Sequence, residues 1–102
     1  MSNWLGTWDV QQKTMVGTLP MAMTVTASGD GYAVVFTGDR VEADVLDVAL
    51  AGDDLTISTN LRKPMKAKAV MELHLTSADT FDGAGKIKFL PNSSFVGVRR
   101  AD

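Results

Sequence analysis

The segment MKAKAVMELHL, residues 65–75, decides the fold class because it alternates apolar and polar side chains almost without a break. One face carries methionine, alanine and leucine, and the other carries mainly lysine, glutamate and histidine. A period of two residues is typical of a β-strand, whereas an amphipathic helix has a period near 3.6 residues. The segment is therefore predicted to be a long strand with one buried face.

Seven further segments show the same alternation, and turns rich in glycine, proline and aspartate separate many of them. Such segments are predicted to be short strands. In the fourth strand the alternation changes phase at Val45-Leu46, which indicates a β-bulge. The Gly38-Asp39 pair before it predicts a tight hairpin between the third and fourth strands. The predicted strands cover residues 4–11, 21–27, 32–37, 40–50, 55–61, 65–75, 81–89 and 94–100.

This succession of strands predicts an all-β fold, a closed up-and-down antiparallel β-barrel of about eight strands. Closure is favoured because it removes both edges of the sheet. Gly83, Gly85 and Gly97 lie inside late strands, which suits the tight coiling of a small barrel. The chain length predicts a single domain, residues 1–102. A sandwich of two sheets is the alternative architecture.

The triplet Gly6-Thr7-Trp8 on the first predicted strand resembles the G-x-W signature of the lipocalin and calycin barrels, and avidin-type barrels open similarly. In those families the tryptophan plugs the closed end, and an arginine of a late strand packs over it. Arg99 falls in the inward phase of the last predicted strand. The resemblance therefore implies a lipocalin-like barrel with a cation–π contact between Trp8 and Arg99.

Composition limits the compartment and the chemistry. The chain has no cysteine, which removes disulfides and thiol catalysis, disfavours zinc and indicates a reducing compartment. Its first ten residues lack the basic segment and apolar run of a signal peptide. The apolar run Ala33–Phe36 is far too short to span a membrane. We therefore expect a cytoplasmic protein without a membrane span, a metal or a cofactor.

The inward positions predict a pocket for a small apolar molecule. Four of the six methionines fall in the inward phase, and their flexible thioether side chains adapt to different ligand shapes. An eight-stranded barrel is only just wide enough for its own side chains or one small ligand, so ordinary core packing is the alternative. The connection from Gln11 to Pro20 is predicted to be either a lid or a loop packed on the barrel. The predicted apolar ligand contacts are Met15, Met21, Met23, Tyr32, Phe36, Met65, Met71 and Phe89.

Charge is distributed unevenly along the chain. Residues 1–54 carry a net charge of −6, and residues 55–102 carry +4. If Trp8 marks the closed end, then Arg40, Arg62 and Lys63 lie at the mouth, where they would attract an anionic ligand. The predicted partner is thus a small apolar or amphiphilic molecule, with an anionic group as a further expectation. A solvated surface is the alternative. Nucleic acid is disfavoured because no aromatic residues interleave with the lysines.

Whether the protein is an enzyme is left open by the sequence. The inward positions supply no pair of carboxylates and no serine–histidine arrangement, and His74 falls in the outward phase. The candidates for acid–base chemistry are Asp44 and Asp47, beside the bulge, together with Tyr32. A cofactor-free cyclase or isomerase that confines an apolar substrate is one alternative to a binding protein. A structural or oligomer-forming domain with a filled core, such as a homodimer, is another.

Overall fold

The computed structural model describes residues 4–14, 17–29, 31–38, 42–63, 66–87 and 93–100. Within these ranges, eight antiparallel strands form one sheet that curls into a nearly closed up-and-down barrel. The all-β fold class predicted from the alternation is confirmed. The strands are β1 (Gly6–Thr14), β2 (Gly17–Ser28), β3 (Gly31–Thr37), β4 (Glu42–Ala51), β5 (Asp54–Lys63), β6 (Ala67–Leu75), β7 (Thr80–Ile87) and β8 (Ser93–Arg99).

The strands follow the order β3-β2-β1-β8-β7-β6-β5-β4 across the sheet. The first and last strands pair in the middle, with Trp8 opposite Arg99. Strands β3 and β4 are the two edges, and no ladder joins them within the described residues. The hairpin predicted at Gly38-Asp39 is therefore wrong for the described parts of these strands. They form a seam instead, which we call the β3–β4 seam.

The bulge predicted in β4 is confirmed by a register shift between Val45 and Asp47. A second register shift lies between Glu42 and Ala43, at the start of the same strand. Bulges bend a strand and increase its local twist. Both irregularities lie on the strand that borders the seam, which gives a physical reason for the missing ladder.

The long loop predicted from Gln11 to Pro20 is wrong, because β1 continues to Thr14 and β2 begins at Gly17. Gly17 has a φ of 131°, a conformation that glycine adopts readily, and the Thr14 hydroxyl donates to its carbonyl at 2.9 Å. Leu19 packs against the core from β2. The polar residues of this hairpin resemble a loop in sequence, but pairing along the sheet holds them in strands.

The interior is filled most tightly at the end of the barrel where Trp8 lies, which we call the closed end. The turns between β2 and β3, between β4 and β5 and between β6 and β7 lie at this end. Seen along the strands, buried side chains alternate with exposed ones, as the sequence predicted. The largest fully buried side chains are Trp4, Trp8, Phe81, Met23, Leu55, Ile57 and Leu73.

Candidate functional site

Three aromatic rings fill the closed end. Trp4 and Trp8 have ring centroids 5.5 Å apart, and each lies 5.2 Å from the ring of Phe81. The Trp8 indole N–H donates to the carbonyl of Trp4 at 3.0 Å. Tilted and edge-on rings at such distances attract one another in addition to burying area. These rings occupy the interior of the barrel at this end.

Arg99 covers the aromatic cluster from outside. Its guanidinium carbon lies 4.3 Å from the centroid of the Trp8 ring, so the predicted contact between these two residues is confirmed. The same guanidinium donates to the carbonyls of Leu5 and Ala78, and its Nε lies 3.2 Å from a carboxylate oxygen of Asp79. Arg99 thereby ties β1 and β8 to the turn that precedes β7.

Gly6, the glycine of the G-x-W triplet, makes room for this arginine. Its φ is 124°, which a residue with a side chain rarely adopts, and a Cβ atom there would lie 3.0 Å from Nη1 of Arg99. The triplet thus has a local structural role, since glycine lets the guanidinium approach the backbone at the start of β1.

At the opposite end of the barrel, which we call the mouth, the interior contains a cavity. Residues from the mouth-side parts of all eight strands line it, and most of their side chains are apolar. We call this space the mouth cavity. Its described lining consists of Gln12, Met21, Phe36, Ala43, Thr59, Leu61, Ala69, Met71, Gly85, Ile87, Ser93 and Phe95.

The mouth cavity is small. It has a volume of about 30 Å³, which is room for one or two water molecules. This volume is far below the roughly 300–1,000 Å³ of typical ligand pockets. A ligand would therefore need to be small, and side chains would have to move to let it in.

Three polar side chains, Gln12, Thr59 and Ser93, belong to this mainly apolar lining. The Gln12 side-chain amide on β1 donates to the Ser93 hydroxyl on β8 at 3.0 Å. Thr59 is buried, and its hydroxyl donates to the carbonyl of Ala69 at 3.2 Å. The described lining contains no charged side chain. The cavity therefore offers hydrogen-bonding groups without a net charge.

Three of the residues predicted to contact a ligand line the mouth cavity, namely Met21, Phe36 and Met71. Met23 is fully buried opposite Trp8, nearer the closed end, and the structure does not bring it to the cavity lining. Met15, Arg40, Met65, Phe89 and the side chain of Lys63 lie outside the described residues.

Tyr32 and Arg62 are also placed away from the cavity. Tyr32 is half-buried at the closed end, where it pairs with Ala27. Arg62 lies on the outer face of β5, because Leu61 beside it points inward, and it forms an ion pair with Asp44 at 3.3 Å. Among the described residues, three of the predicted apolar contacts therefore line the cavity, whereas the predicted cation Arg62 lies on the outer face of the barrel.

Sequence reasoning missed most of the cavity lining, above all Gln12 and Ser93. The signal was present in the alternation. Gln12 continues the inward phase of Trp8 and Val10, and Ser93 begins the inward phase that includes Phe95. Their side chains are polar, whereas the inward phase of a strand is usually identified by its apolar residues.

The acid–base candidates do not converge on a site. Asp44 and Asp47 are exposed on β4, whereas Tyr32 packs against the core. Across the described parts of the chain, no three histidine, aspartate or glutamate side chains are grouped to hold a metal ion. No helix found in those parts has the length and apolar character to cross a membrane.

His74 lies on the outer face of β6, and its Nδ1 donates to Asp54 on β5 at 2.6 Å. This hydrogen bond raises the pKa of His74 above its ordinary value of 6.5; desolvation opposes the rise, and the charges of Asp54, Asp53 and Asp82 add to it. A raised pKa in the folded protein stabilises the fold at low pH, and this contribution disappears as the pH rises through that pKa.

The wild-type protein should lose some stability as the pH rises from about 5 to about 8, the range in which histidine titrates. We expect His74→Gln to lose less stability over the same range. The measurement is the urea midpoint at both pH values. Glu72→Gln, which removes the neighbouring pair with Lys86, is the control and should leave that pH dependence intact. An unchanged pH dependence in His74→Gln would show that the His74–Asp54 hydrogen bond contributes nothing to the stability of the fold.

Comparison with solved structures finds small redesigned β-barrels. The barrel mFAP0, bound to DFHBI, aligns with a TM-score of 0.74 and 13% identity over 96% of this chain and 100% of that chain. The barrel mFAP1, also bound to DFHBI, aligns with a TM-score of 0.71 and 14% identity over 96% of this chain and 95% of that chain. This chain shares their fold.

A third redesigned barrel, b11L5F_LGL, aligns with a TM-score of 0.65 and 15% identity over 97% of this chain and 93% of that chain. At such identities the likeness shows the fold alone. No protein-family model and no curated protein matches this chain. The lipocalin kinship suggested by the G-x-W triplet therefore stays a resemblance.

Proposed function

We propose that this protein binds a small, mainly apolar and uncharged molecule in the mouth cavity. The observation that carries the proposal is an apolar cavity at one end of a barrel whose other end is filled by aromatic side chains. The similar barrels mFAP0 and mFAP1 are bound to DFHBI, which supports ligand binding on a fold of this size.

A lipocalin-like arrangement fits this proposal. In such a barrel the tryptophan and arginine plug one end and the ligand enters through the other. The contact between Trp8 and Arg99 at the end opposite the mouth cavity supports that polarity. The binding site then lies on the rigid framework that the plug stabilises.

The uncharged character of the ligand follows from the lining. Burying a carboxylate without a paired cation is costly. The described lining offers no cation, and Arg62 is held by Asp44 on the outer face. We therefore favour a neutral ligand over the anionic amphiphile expected from the charge distribution.

The small volume of the cavity requires adaptation. Met21 and Met71 contribute flexible thioether side chains to the lining, and such side chains can rearrange around a guest. Phe36 and Ala43 line the cavity from the two edge strands, on either side of the β3–β4 seam. Because no ladder holds the described parts of these strands together, small shifts there cost fewer hydrogen bonds than elsewhere in the barrel.

The direct test is to fill the cavity. We expect naphthalenemethanol to bind the wild-type protein, and Ala43→Phe to weaken its binding by about tenfold or more, since the new ring takes the space of the guest. Ala49→Phe is the matched control, because Ala49 is exposed on the same strand. Isothermal titration calorimetry measures the affinities, and urea midpoints verify that both variants fold.

Two outcomes would count against the proposal. If naphthalenemethanol shows no binding to the wild-type protein, or if both phenylalanine variants bind it as the wild type does, the cavity is not a ligand site. Naphthoate tests the charge. It should bind more weakly than the alcohol, and tighter binding that declines with added salt would support the anionic ligand instead.

A further inference from the structure

The hydrogen bond between Gln12 and Ser93 uses only some of the donors and acceptors of two side chains that line the mouth cavity. Both side chains are partly buried and belong to its lining. One N–H of the Gln12 amide is used in donating to the Ser93 oxygen. A side-chain amide has a second N–H and a carbonyl oxygen, and a serine hydroxyl has one donor of its own. The pair therefore retains at least two donors and one acceptor, side by side.

The other polar group in the described lining is already engaged. Thr59 donates its hydroxyl to the Ala69 carbonyl, on the neighbouring strand β6. The remaining described lining side chains are apolar. Polar recognition in the cavity is therefore concentrated where β1 meets β8.

We infer that Gln12 and Ser93 determine specificity, and that the ligand is a small neutral aromatic molecule with a hydrogen-bond donor and acceptor side by side, as in a lactam. This inference rests on the proposed function. The aromatic part of the ligand packs among Phe36, Met71 and Phe95, and its N–H and C=O face the Gln12–Ser93 pair.

The remaining donors and acceptor of the Gln12–Ser93 pair disfavour ligands that have no hydrogen-bonding groups. A hydrocarbon that covers the pair removes water from its free donors and acceptor and gives no hydrogen bond in return, which is costly. A lactam replaces the displaced water, because its N–H can donate to the acceptor of the pair and its C=O can accept from the donors. A pocket built in this way discriminates more strongly against a missing polar group than against a change in apolar size.

The experiment uses three matched bicyclic probes. Oxindole has the adjacent N–H and C=O, N-methyloxindole retains only the acceptor, and indane has neither. We expect oxindole to bind wild-type protein about tenfold more tightly than indane, with N-methyloxindole between them. Gln12→Leu and Ser93→Ala should each reduce this preference, and together they should abolish it.

Gln11→Leu is the matched control, because Gln11 is exposed on the outer face of the same strand and receives the same substitution. It should leave all three affinities unchanged. Calorimetry gives the affinities, and amide chemical-shift changes near residues 12 and 93 report where the probe binds.

The possible results separate the two proposals. If the three probes bind with equal affinity and Gln12→Leu changes nothing, the specificity inference is overturned while the mouth cavity remains a binding site. If naphthalenemethanol binds but none of the three probes does, only the specificity inference is overturned, whereas if naphthalenemethanol also fails to bind, both proposals are overturned. If Gln11→Leu weakens oxindole as much as Gln12→Leu does, the effect does not arise in the cavity, and the inference is again overturned.

Discussion

Replacing Trp8 with alanine is expected to destabilise the protein by about 3–5 kcal/mol, the range for truncating a buried aromatic side chain. The indole is fully buried, contacts two other aromatic rings and donates a hydrogen bond to Trp4. Its removal also leaves Arg99 without the ring over which its guanidinium lies. The first and last strands of the chain pair at this point, in the middle of the sheet, so the surroundings have little freedom to collapse into the space.

The measurement is the free energy of unfolding from urea titration, compared with the wild type. Val98→Ala is the control, since Val98 is 52% exposed on the outer face of β8 beside Arg99, and its loss should cost about 0.5 kcal/mol or less. A Trp8→Ala midpoint close to that of the wild type would mean that the aromatic cluster does not stabilise the barrel.

The closed end was expected from the resemblance of Gly6-Thr7-Trp8 to the G-x-W signature, and the predicted strand pattern agrees with it. Strict alternation assigns Trp8 and Arg99 to the inward phase, and an antiparallel barrel with eight strands brings the first strand beside the last. The register then sets the two residues opposite each other. Alternation also predicted the bulge near Val45, because the extra residue of a bulge shifts the alternation of apolar and polar residues by one position.

The mouth was harder to predict because its features depend on distances that alternation does not encode. A cavity volume depends on how side chains from several strands fill shared space, and single residues do not reveal it. Gln12 and Ser93 are polar, so their side chains do not mark the inward phase as apolar residues do. Likewise the Gly38-Asp39 pair alone favours a hairpin, whereas no ladder joins the described parts of β3 and β4, where two register shifts bend β4.

Gly97→Ala is expected to destabilise the barrel by up to about 3 kcal/mol, the upper end of the usual range for overpacking a core. Phe81 on β7 lies directly opposite Gly97 on β8, and a Cβ atom at Gly97 would lie closer than 3.0 Å to three atoms of its ring. The ring cannot move away easily, because it is 1% exposed and packs against Trp4 and Trp8. The same glycine that suggested tight coiling in the sequence thus accommodates an aromatic ring across the strand pair.

Gly97→Ala could either lower or raise the free energy of unfolding, because two effects oppose each other. Replacing glycine lowers the entropy of the unfolded chain, which by itself stabilises a protein by about 0.4–1 kcal/mol. We expect the steric overlap to outweigh that gain. Gly31→Ala is the matched control, since the nearest heavy atom to a Cβ there lies 4.0 Å away, and it should be neutral or stabilising. Adding Phe81→Leu to Gly97→Ala should cost less than the sum of the two single changes, because the smaller side chain relieves the overlap. A stable Gly97→Ala protein with an unchanged midpoint, or fully additive effects in the double variant, would show that Gly97 and Phe81 are not packed as tightly as the structure places them.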